Sequence, residues 1–355
     1  MPVIAQTSLD RIQKQAEAAR SEHKIDEAIA LYKKGVALKP SWDEGWWSLG
    51  TLNYELDRFE EARDAFRHLT AIKPGVAVPW AMLGLCEYET RQYDQALGNL
   101  RHGIGLGLGQ DQSIADVANF HLALLLTRFE EYEASMKLLA MFAQRNLNHP
   151  SYIEAMGIAA LRKPLLPVEV PPAERLLIMD VGRVMFDAAA LRTTEAGAEF
   201  KALLEKYPTT PNIHYLYGSF LMFSDADSGL VEMKKELEIS PAHVPAMVTI
   251  ANEYIQRKQY KDGLPYAEKA VELEPQSFPA HAVLGRIFVE GDIDLARGLK
   301  ELEEARKLAP TSPQVRIALA TAYTKAGRKE DAARERQEFS KLRQALDAKD
   351  SAGGK

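Results

Sequence analysis

Histidine, cysteine and paired acidic side chains are the groups in this sequence that could carry out catalysis or bind a metal. The eight histidines are scattered, and none belongs to an HxxxH or HExxH pair of the kind that binds zinc. The single cysteine, Cys86, excludes an intrachain disulfide framework and an all-cysteine metal site. The sequence therefore predicts no catalytic residue, no metal site and no cofactor, and we expect a protein that is not an enzyme.

The remaining polar and glycine-rich features have structural interpretations. Acidic pairs such as Glu60–Glu61 lie near the starts of predicted helices, where negative charge interacts favourably with the helix N-terminus. His121, His214 and His281 fall on predicted helices and are expected to pack or to face a groove. The glycine run at 103–109 follows a helix rather than a strand and lacks the lysine of a phosphate-binding loop. It predicts an insertion in a connection.

The elements that position these residues are set by a 34-residue repeat. Three series of positions keep that step: Ala28, Ala62 and Ala96; Tyr32, Phe66 and Leu100; Pro40 and Pro74. Within one unit, Trp46, Leu49 and Gly50 lie on one face of a helix, and Ala62, Phe66 and Leu69 lie on one face of the next. Gly50 and Ala62 are small because the two helices cross closely. Pro74 cannot continue the second helix and ends the unit.

The spacing of Trp46, Leu49, Gly50, Ala62, Phe66 and Pro74 strongly resembles the tetratricopeptide-repeat family. One position departs from the pattern, since Asn53 stands where the family has a tyrosine and Tyr54 follows it. The resemblance implies an all-α fold, an α-α superhelix. The repeat phase predicts about nine helix-turn-helix repeats in two stacks.

Proline density and repeat phase predict the domain boundaries. An N-terminal array covers 9–162, a proline-rich connector 163–173, and a C-terminal array with a polar capping helix 174–346. The segment 347–355 is expected to be a disordered tail. Four prolines within the connector are incompatible with a continuous helix. After the glycine run the repeat resumes at Ala134 and Leu138, which implies a four-residue insertion.

The family resemblance implies that the first helices of the repeats line a concave groove that holds a peptide or a partner helix. Six groove positions in the first stack are expected to form a continuous apolar strip: Trp47, Tyr54, Met82, Leu85, Tyr88 and Phe120. The second stack is expected to contribute Tyr215 and Asn252. An acidic rim from Glu44, Glu55 and Glu89 favours a partner segment that carries Lys or Arg.

A non-catalytic scaffold or adaptor for protein–protein interaction is the leading hypothesis. Two alternatives are a periplasmic or secreted repeat protein of envelope assembly or polysaccharide export, and the recognition arm of an enzyme whose catalytic part is absent. A remnant of a signal peptide at Val3-Ile4-Ala5 would favour the first alternative, and localisation in the cytoplasm or the periplasm stays open.

Three kinds of partner are not expected. The net charge of −6 gives no reason to expect nucleic acid, and no apolar run is long enough for membrane insertion. One subgroup of the family clamps the C-terminal carboxylate of chaperone tails with basic and amide side chains. The corresponding positions of the first stack hold no basic residue: Gln13, Glu17, Ser48, Val78 and Met82. The chaperone-tail carboxylate clamp is therefore predicted to be absent.

Overall fold

The chain is described by a computed structural model that covers residues 2–109 and 112–353. Every regular element in these residues is helical, and no β-strand occurs among them. Contacts between residues divide the chain into two compact units, Met1–Gly197 and Ala198–Lys355. The all-α fold built from consecutive helix-turn-helix pairs, as predicted, is confirmed.

In the described part of the first unit, ten helices precede the boundary. They are α1 (Pro2–Ser21), α2 (Ile25–Leu38), α3 (Asp43–Glu55), α4 (Phe59–Ile72), α5 (Ala77–Glu89), α6 (Tyr93–Leu106), α7 (Gln112–Arg128), α8 (Tyr132–Gln144), α9 (Pro150–Ala160) and α10 (Arg175–Ala189). Two short 3-10 turns, Pro167–Glu169 and Pro172–Glu174, lie between α9 and α10. The boundary falls inside α11 (Thr193–Lys206).

The described residues of the second unit, up to 353, form eight more helices. They are α12 (Ile213–Leu221), α13 (Ala226–Ile239), α14 (Val244–Gln256), α15 (Tyr260–Leu273), α16 (Phe278–Glu290), α17 (Leu295–Leu308), α18 (Pro313–Lys325) and α19 (Lys329–Gly353). Helix α19 is longer than the predicted capping helix and extends through most of the segment 347–355, for which the sequence predicts disorder. Residues 354 and 355 lie outside the described part of the chain.

Small residues allow the two helices of a repeat to cross closely, as the sequence predicts. A Cβ atom on Gly50 would lie 2.5 Å from the ring of Phe66. Ala62 and Phe66 are both fully buried. In the next repeat, a Cβ atom on Gly84 would lie 2.7 Å from Leu100. The 34-residue series thus marks the points where first and second helices touch.

The carbonyl group of the repeat proline is hydrogen-bonded in the same way in successive repeats. Trp46 Nε1 donates to the carbonyl oxygen of Pro40 at 2.8 Å, and Trp80 Nε1 donates to that of Pro74 at 2.9 Å. Each donor lies six residues after its proline. The proline lies two residues beyond the end of the second helix, and the indole of the following first helix supplies the donor for its carbonyl group.

The proline-rich segment stands where α9 would otherwise have a second helix. Helix α9 ends in a left-handed turn at Arg162 (φ 53°), just as α10 ends at Leu191 (φ 61°) and α3 at Asp57 (φ 56°). Instead of a second helix, the chain then forms the two 3-10 turns, and α9 packs directly on α10. This packing places the segment 163–173 within the first unit. The boundary between the two compact units therefore lies between Gly197 and Ala198. The sequence predicts a boundary earlier in the chain, at the proline-rich connector.

The insertion after α6 is one residue longer than the sequence indicates. Gly107 and Gly109 adopt positive φ angles of 88° and 74°, which end the helix and turn the chain. Ala134 is exposed, whereas Ser135 is fully buried at the position of the small repeat residue. Ser135 Oγ donates to the carbonyl oxygen of Ala123 at 2.7 Å, and this bond satisfies its hydroxyl in the core. The expected repeat position at Ala134 is therefore wrong by one residue, and the insertion has five residues.

Candidate functional site

Helix α3 presents one face to the candidate groove. Trp47, Thr51 and Tyr54 are spaced i, i+4 and i+7, which puts them on one side of the helix. Trp47 packs edge-on against Phe66 of α4, with ring centroids 5.8 Å apart, yet it remains 37% exposed. Tyr54 packs edge-on against Phe59 at 5.5 Å. Both aromatic rings are therefore held by the second helix of their own repeat while part of each faces outward.

Two further first helices complete the site. Helix α5 contributes Met82 and Leu85, which are buried, and α7 contributes Ser113, Ile114 and Val117. These side chains and those of α3 enclose a cavity of about 300 Å³. Val117 is 41% exposed at its edge. Four of the six predicted strip residues, Trp47, Tyr54, Met82 and Leu85, thus line one cavity, whereas the α7 residues were not predicted.

Among the described residues, the only charged side chain that lines this cavity is acidic. Glu55 is exposed at the edge and lies 4.0 Å from the guanidinium of Arg20. Glu89, one turn beyond Leu85 on α5, is also exposed. Burial raises the pKa of the Tyr54 hydroxyl, and the nearby Cys86 and Glu89 raise it further. The phenol therefore stays protonated at neutral pH and can donate a hydrogen bond to a ligand.

Tyr88 and Phe120, the other two predicted strip residues, do not line the cavity. They belong to an aromatic cluster formed by α5, α7 and α9, in which His121 contacts Tyr88 at 4.8 Å and Phe120 contacts Tyr152 at 5.0 Å. Burial raises the pKa of Tyr88 and lowers the pKa of His121, whose Nδ1 lies 2.8 Å from the Val117 carbonyl oxygen. Both predicted residues are half-buried, so much of each ring serves packing.

The two predicted residues of the second unit have structural neighbours of their own. Tyr215 is half-buried against the ring of His243, at 4.6 Å, and its backbone N–H donates to Glu236 Oε2 at 3.2 Å. Asn252 Oδ1 accepts a hydrogen bond from Arg286 Nη1 at 3.2 Å. Arg286 also donates to Glu290 at 2.7 Å, so the guanidinium is already paired.

The buried histidines of the second unit act in packing and helix connection. His214 Nε2 lies 3.2 Å from the Pro208 carbonyl oxygen, and its Nδ1 lies 2.6 Å from Glu232 Oε2. His281 repeats this arrangement with Pro275 and Glu301, at 3.0 and 2.6 Å. Both occupy the position that Trp46 and Trp80 occupy in the first unit. The sequence signal that identifies them is their spacing of six residues from the repeat proline.

No group of three or more His, Cys, Asp or Glu side chains in the described residues has an arrangement that could hold a metal ion. Cys86 is completely buried, and burial raises the pKa of its thiol to about 12. The thiol therefore stays protonated and unreactive at neutral pH. Among the helices described, none combines the length and apolar composition needed to cross a membrane.

Comparison with known proteins gives two matches to the tetratricopeptide repeat, over residues 14–77 and residues 244–277. No curated protein matches the chain. Similar solved structures include MamA (41-end) from Desulfovibrio magneticus RS-1, which is 22% identical over 48% of this chain and 96% of that chain, with a TM-score of 0.43. A MamA RS-1 double mutant is 24% identical over 44% and 87%, with a TM-score of 0.39. MamA AMB-1 is 20% identical over 46% and 96%, with a TM-score of 0.40.

The two repeat matches lie in different units, one covering α2 to α4 and the other covering α14 and α15. In both stretches the helix bounds and the buried small residues follow the repeat pattern, with Ala62 in the first and Ala267 in the second. Tetratricopeptide repeats are therefore present in both units of the chain.

Proposed function

We propose that this protein is a non-catalytic scaffold whose first unit binds an extended segment or helix of a partner protein. One observation supports this function above the others. Three successive first helices, α3, α5 and α7, direct apolar side chains into one open cavity, and the charged edge of that cavity is acidic. Open apolar cavities of this kind are common binding sites in soluble proteins.

The lining residues define the chemistry of the segment. Trp47, Met82, Leu85, Ile114 and Val117 suit an aliphatic side chain such as Leu, Ile or Met. Glu55 at the edge favours a neighbouring Lys or Arg on the partner, because opposite charges across an interface increase the association rate and specificity. The Tyr54 hydroxyl is available to donate to a main-chain carbonyl group of the segment.

The remaining predicted positions extend this surface in the proposal. Tyr88 and Phe120 would contact the segment beyond the cavity with the exposed parts of their rings. In the second unit, Tyr215 and Asn252 would provide a separate contact, since the amide nitrogen of Asn252 is not used in its bond to Arg286. These contacts are secondary because each side chain already has a packing or hydrogen-bonding role.

The test begins with recovery of a partner by the full chain and identification of the bound segment, followed by titration of the corresponding synthetic peptide. Trp47→Ala combined with Val117→Glu should weaken peptide binding by at least about 2 kcal/mol, roughly 30-fold. Both positions are partly exposed, so helical circular dichroism should be unchanged. Leu38→Ala, an exposed apolar residue at the end of α2, is the matched control and should bind normally.

A second measurement tests the same site even if the double variant misfolds. Val117→Cys introduces a thiol at the cavity edge, while the native Cys86 is buried and protonated. Labelling of this single accessible thiol with a bulky maleimide should block the peptide, and a prebound peptide should slow the labelling. Unchanged affinity in the double variant, together with labelling that the peptide does not affect, would refute the proposed site.

A further inference from the structure

A second cavity lies on the opposite face of α5, among α4, α5 and α6. It has a volume of about 540 Å³. Trp80, Leu83 and Glu87 line it from α5, at i, i+3 and i+7, about half a turn around the helix from Met82 and Leu85. Arg67 of α4 and Asn99 of α6 lie at its two sides. The cavity is therefore separate from the one proposed above to hold a partner segment.

Glu87 has one carboxylate oxygen with a hydrogen bond and one without. The residue is only 2% exposed, which is unusual for an acidic side chain. Oε2 accepts a hydrogen bond from Asn99 Nδ2 at 2.6 Å. Oε1 has only an ion pair with Arg67 Nη2 at 3.6 Å, beyond hydrogen-bond distance. Glu87 lines the cavity together with Arg67 and Asn99.

The fold itself does not require a carboxylate at this position. In the preceding repeat the corresponding residue, 34 positions earlier, is Asn53, which is equally buried. Its amide nitrogen donates to the Leu49 carbonyl oxygen of the same helix at 2.7 Å. Burial raises the pKa of Glu87, although Asn99 and Arg67 act in the opposite direction. The carboxyl group is thus short of donors, and a ligand that supplied one would offset part of the cost of its burial.

The charges around the cavity determine which kind of ligand group can donate a hydrogen bond to Glu87. A second cation at Glu87 would be repelled by Arg67 and by the nearby Arg63, both of which already act electrostatically on this carboxyl group. A neutral N–H donor avoids that repulsion. Arg67 and Asn99 also offer N–H groups that can donate to an acceptor next to that donor, because Asn99 Nδ2 uses only one of its two hydrogens on Glu87. A planar amide combines both functions, and its faces can pack on Trp80.

We propose that this cavity is a binding site for a neutral carboxamide, supplied by an Asn or Gln side chain of a partner protein. The ligand N–H donates to Glu87 Oε1, and the ligand carbonyl oxygen accepts from Arg67. The cavity gives the repeat array a second recognition point on the face away from the apolar cavity. Its specificity is for the side-chain amide over a carboxylate, an amine or a thioether of similar size.

The site can be tested on the full chain by nuclear magnetic resonance, with the Trp80 indole N–H as reporter. The probes are capped tripeptides whose central residue is Gln, Glu, Lys or Met. The Gln peptide should give a saturable shift, with at least about fivefold tighter binding than the Glu or Lys peptide. Equal binding of the Gln and Met peptides would show that the site does not select a side-chain amide, and it would overturn the proposal. Preference for the Lys peptide, or no saturable shift with any probe, would overturn the proposal.

Glu87→Gln is the decisive variant because it preserves size and can keep the hydrogen bond from Asn99. It places an NH2 group where Oε1 faces the cavity, so the ligand donor meets another donor. Binding of the Gln peptide should fall at least about fivefold, while the urea midpoint does not fall. Asp64→Asn, which removes an exposed carboxylate that also pairs with Arg67, is the matched control and should leave binding intact. Binding that is equal in Glu87→Gln and in the unmodified chain would also overturn the proposal.

Discussion

The contact between α9 and α10 should be the part of the first unit that is most sensitive to a single added methyl group. A Cβ atom on Gly182 would lie 2.0 Å from the carbonyl oxygen of Ile153, and one on Gly157 would lie 1.9 Å from that of Ile178. Both contacts are with backbone atoms, so no change of side-chain rotamer can relieve them. Gly157→Ala or Gly182→Ala therefore forces the two helices apart.

The size of the effect follows from these distances. Carbon and oxygen normally approach to about 3.3 Å, so the helices must separate locally by more than about 1 Å. A gap of that size removes a quarter to a half of the dispersion energy of the contacts it opens. Overpacking typically costs about 1–3 kcal/mol, and a backbone clash falls at or above the upper end. Alanine recovers about 1 kcal/mol through helix propensity, which leaves a net loss of about 2–3 kcal/mol.

Urea denaturation followed by tryptophan fluorescence is the appropriate assay. All four tryptophans, Trp42, Trp46, Trp47 and Trp80, lie in the first unit, so their signal reports that unit alone. With a urea dependence near 2 kcal/mol per M, the midpoint should fall by about 1–1.5 M.

Gly98→Ala provides the matched control. Gly98 lies within α6 of the same unit, and its Cβ would meet nothing within 4 Å. This variant should gain about 0.5–1 kcal/mol, because alanine is the better helix former. Replacing glycine with alanine should thus lower the stability at the helix contact and raise it at the open position. A midpoint unchanged in both Gly157→Ala and Gly182→Ala would show that α9 and α10 do not cross at these glycines.

Two further predictions concern an ion pair and the connector. The hydrogen bond from Lys73 lowers the pKa of Asp43 from 3.8 to about 2, so the pair stabilises the fold above pH 3.8 and this contribution disappears as the pH falls through 2. Asp43→Asn should lower the free energy of unfolding by about 1 kcal/mol or less at pH 7, because Lys73 is half-exposed. The urea midpoints of this variant and of the unmodified chain should converge at pH 2. A difference between the midpoints that stays constant with pH would contradict the assignment of this pair. Limited proteolysis should cut first within 163–173, where Val168 is 84% exposed, or at the termini. A first cut near Gly197 would instead support the boundary given by the contacts, and one within 43–106 would contradict the two-stack arrangement.

The sequence alone was sufficient to predict the repeat and the faces of its helices. Alanine, phenylalanine and proline at a constant step of 34 indicate which face of each helix touches its neighbour. That face can be predicted from the sequence of each repeat by itself. The same periodicity placed Trp47, Tyr54, Met82 and Leu85 on adjacent first helices, and these four residues do line one cavity. It failed by one residue at Ser135, because the partners that satisfy its buried hydroxyl, the Ala123 carbonyl oxygen and Thr127 Oγ1, both lie on the preceding helix.

Only the tertiary structure decided which helix faces meet when the repeat is interrupted. Gly157 and Gly182 are 25 residues apart, and neither indicates from its local sequence that the other is its contact. Because the proline-rich segment replaces a second helix, α10 packs directly on α9, and the unit boundary moves to Gly197/Ala198. The residues of α7 in the apolar cavity and the surroundings of the buried Glu87 carboxyl group likewise depend on side chains brought together from three helices. Local periodicity specifies which face of a helix is buried, whereas the partner of that face and the space left between them depend on how the helices pack.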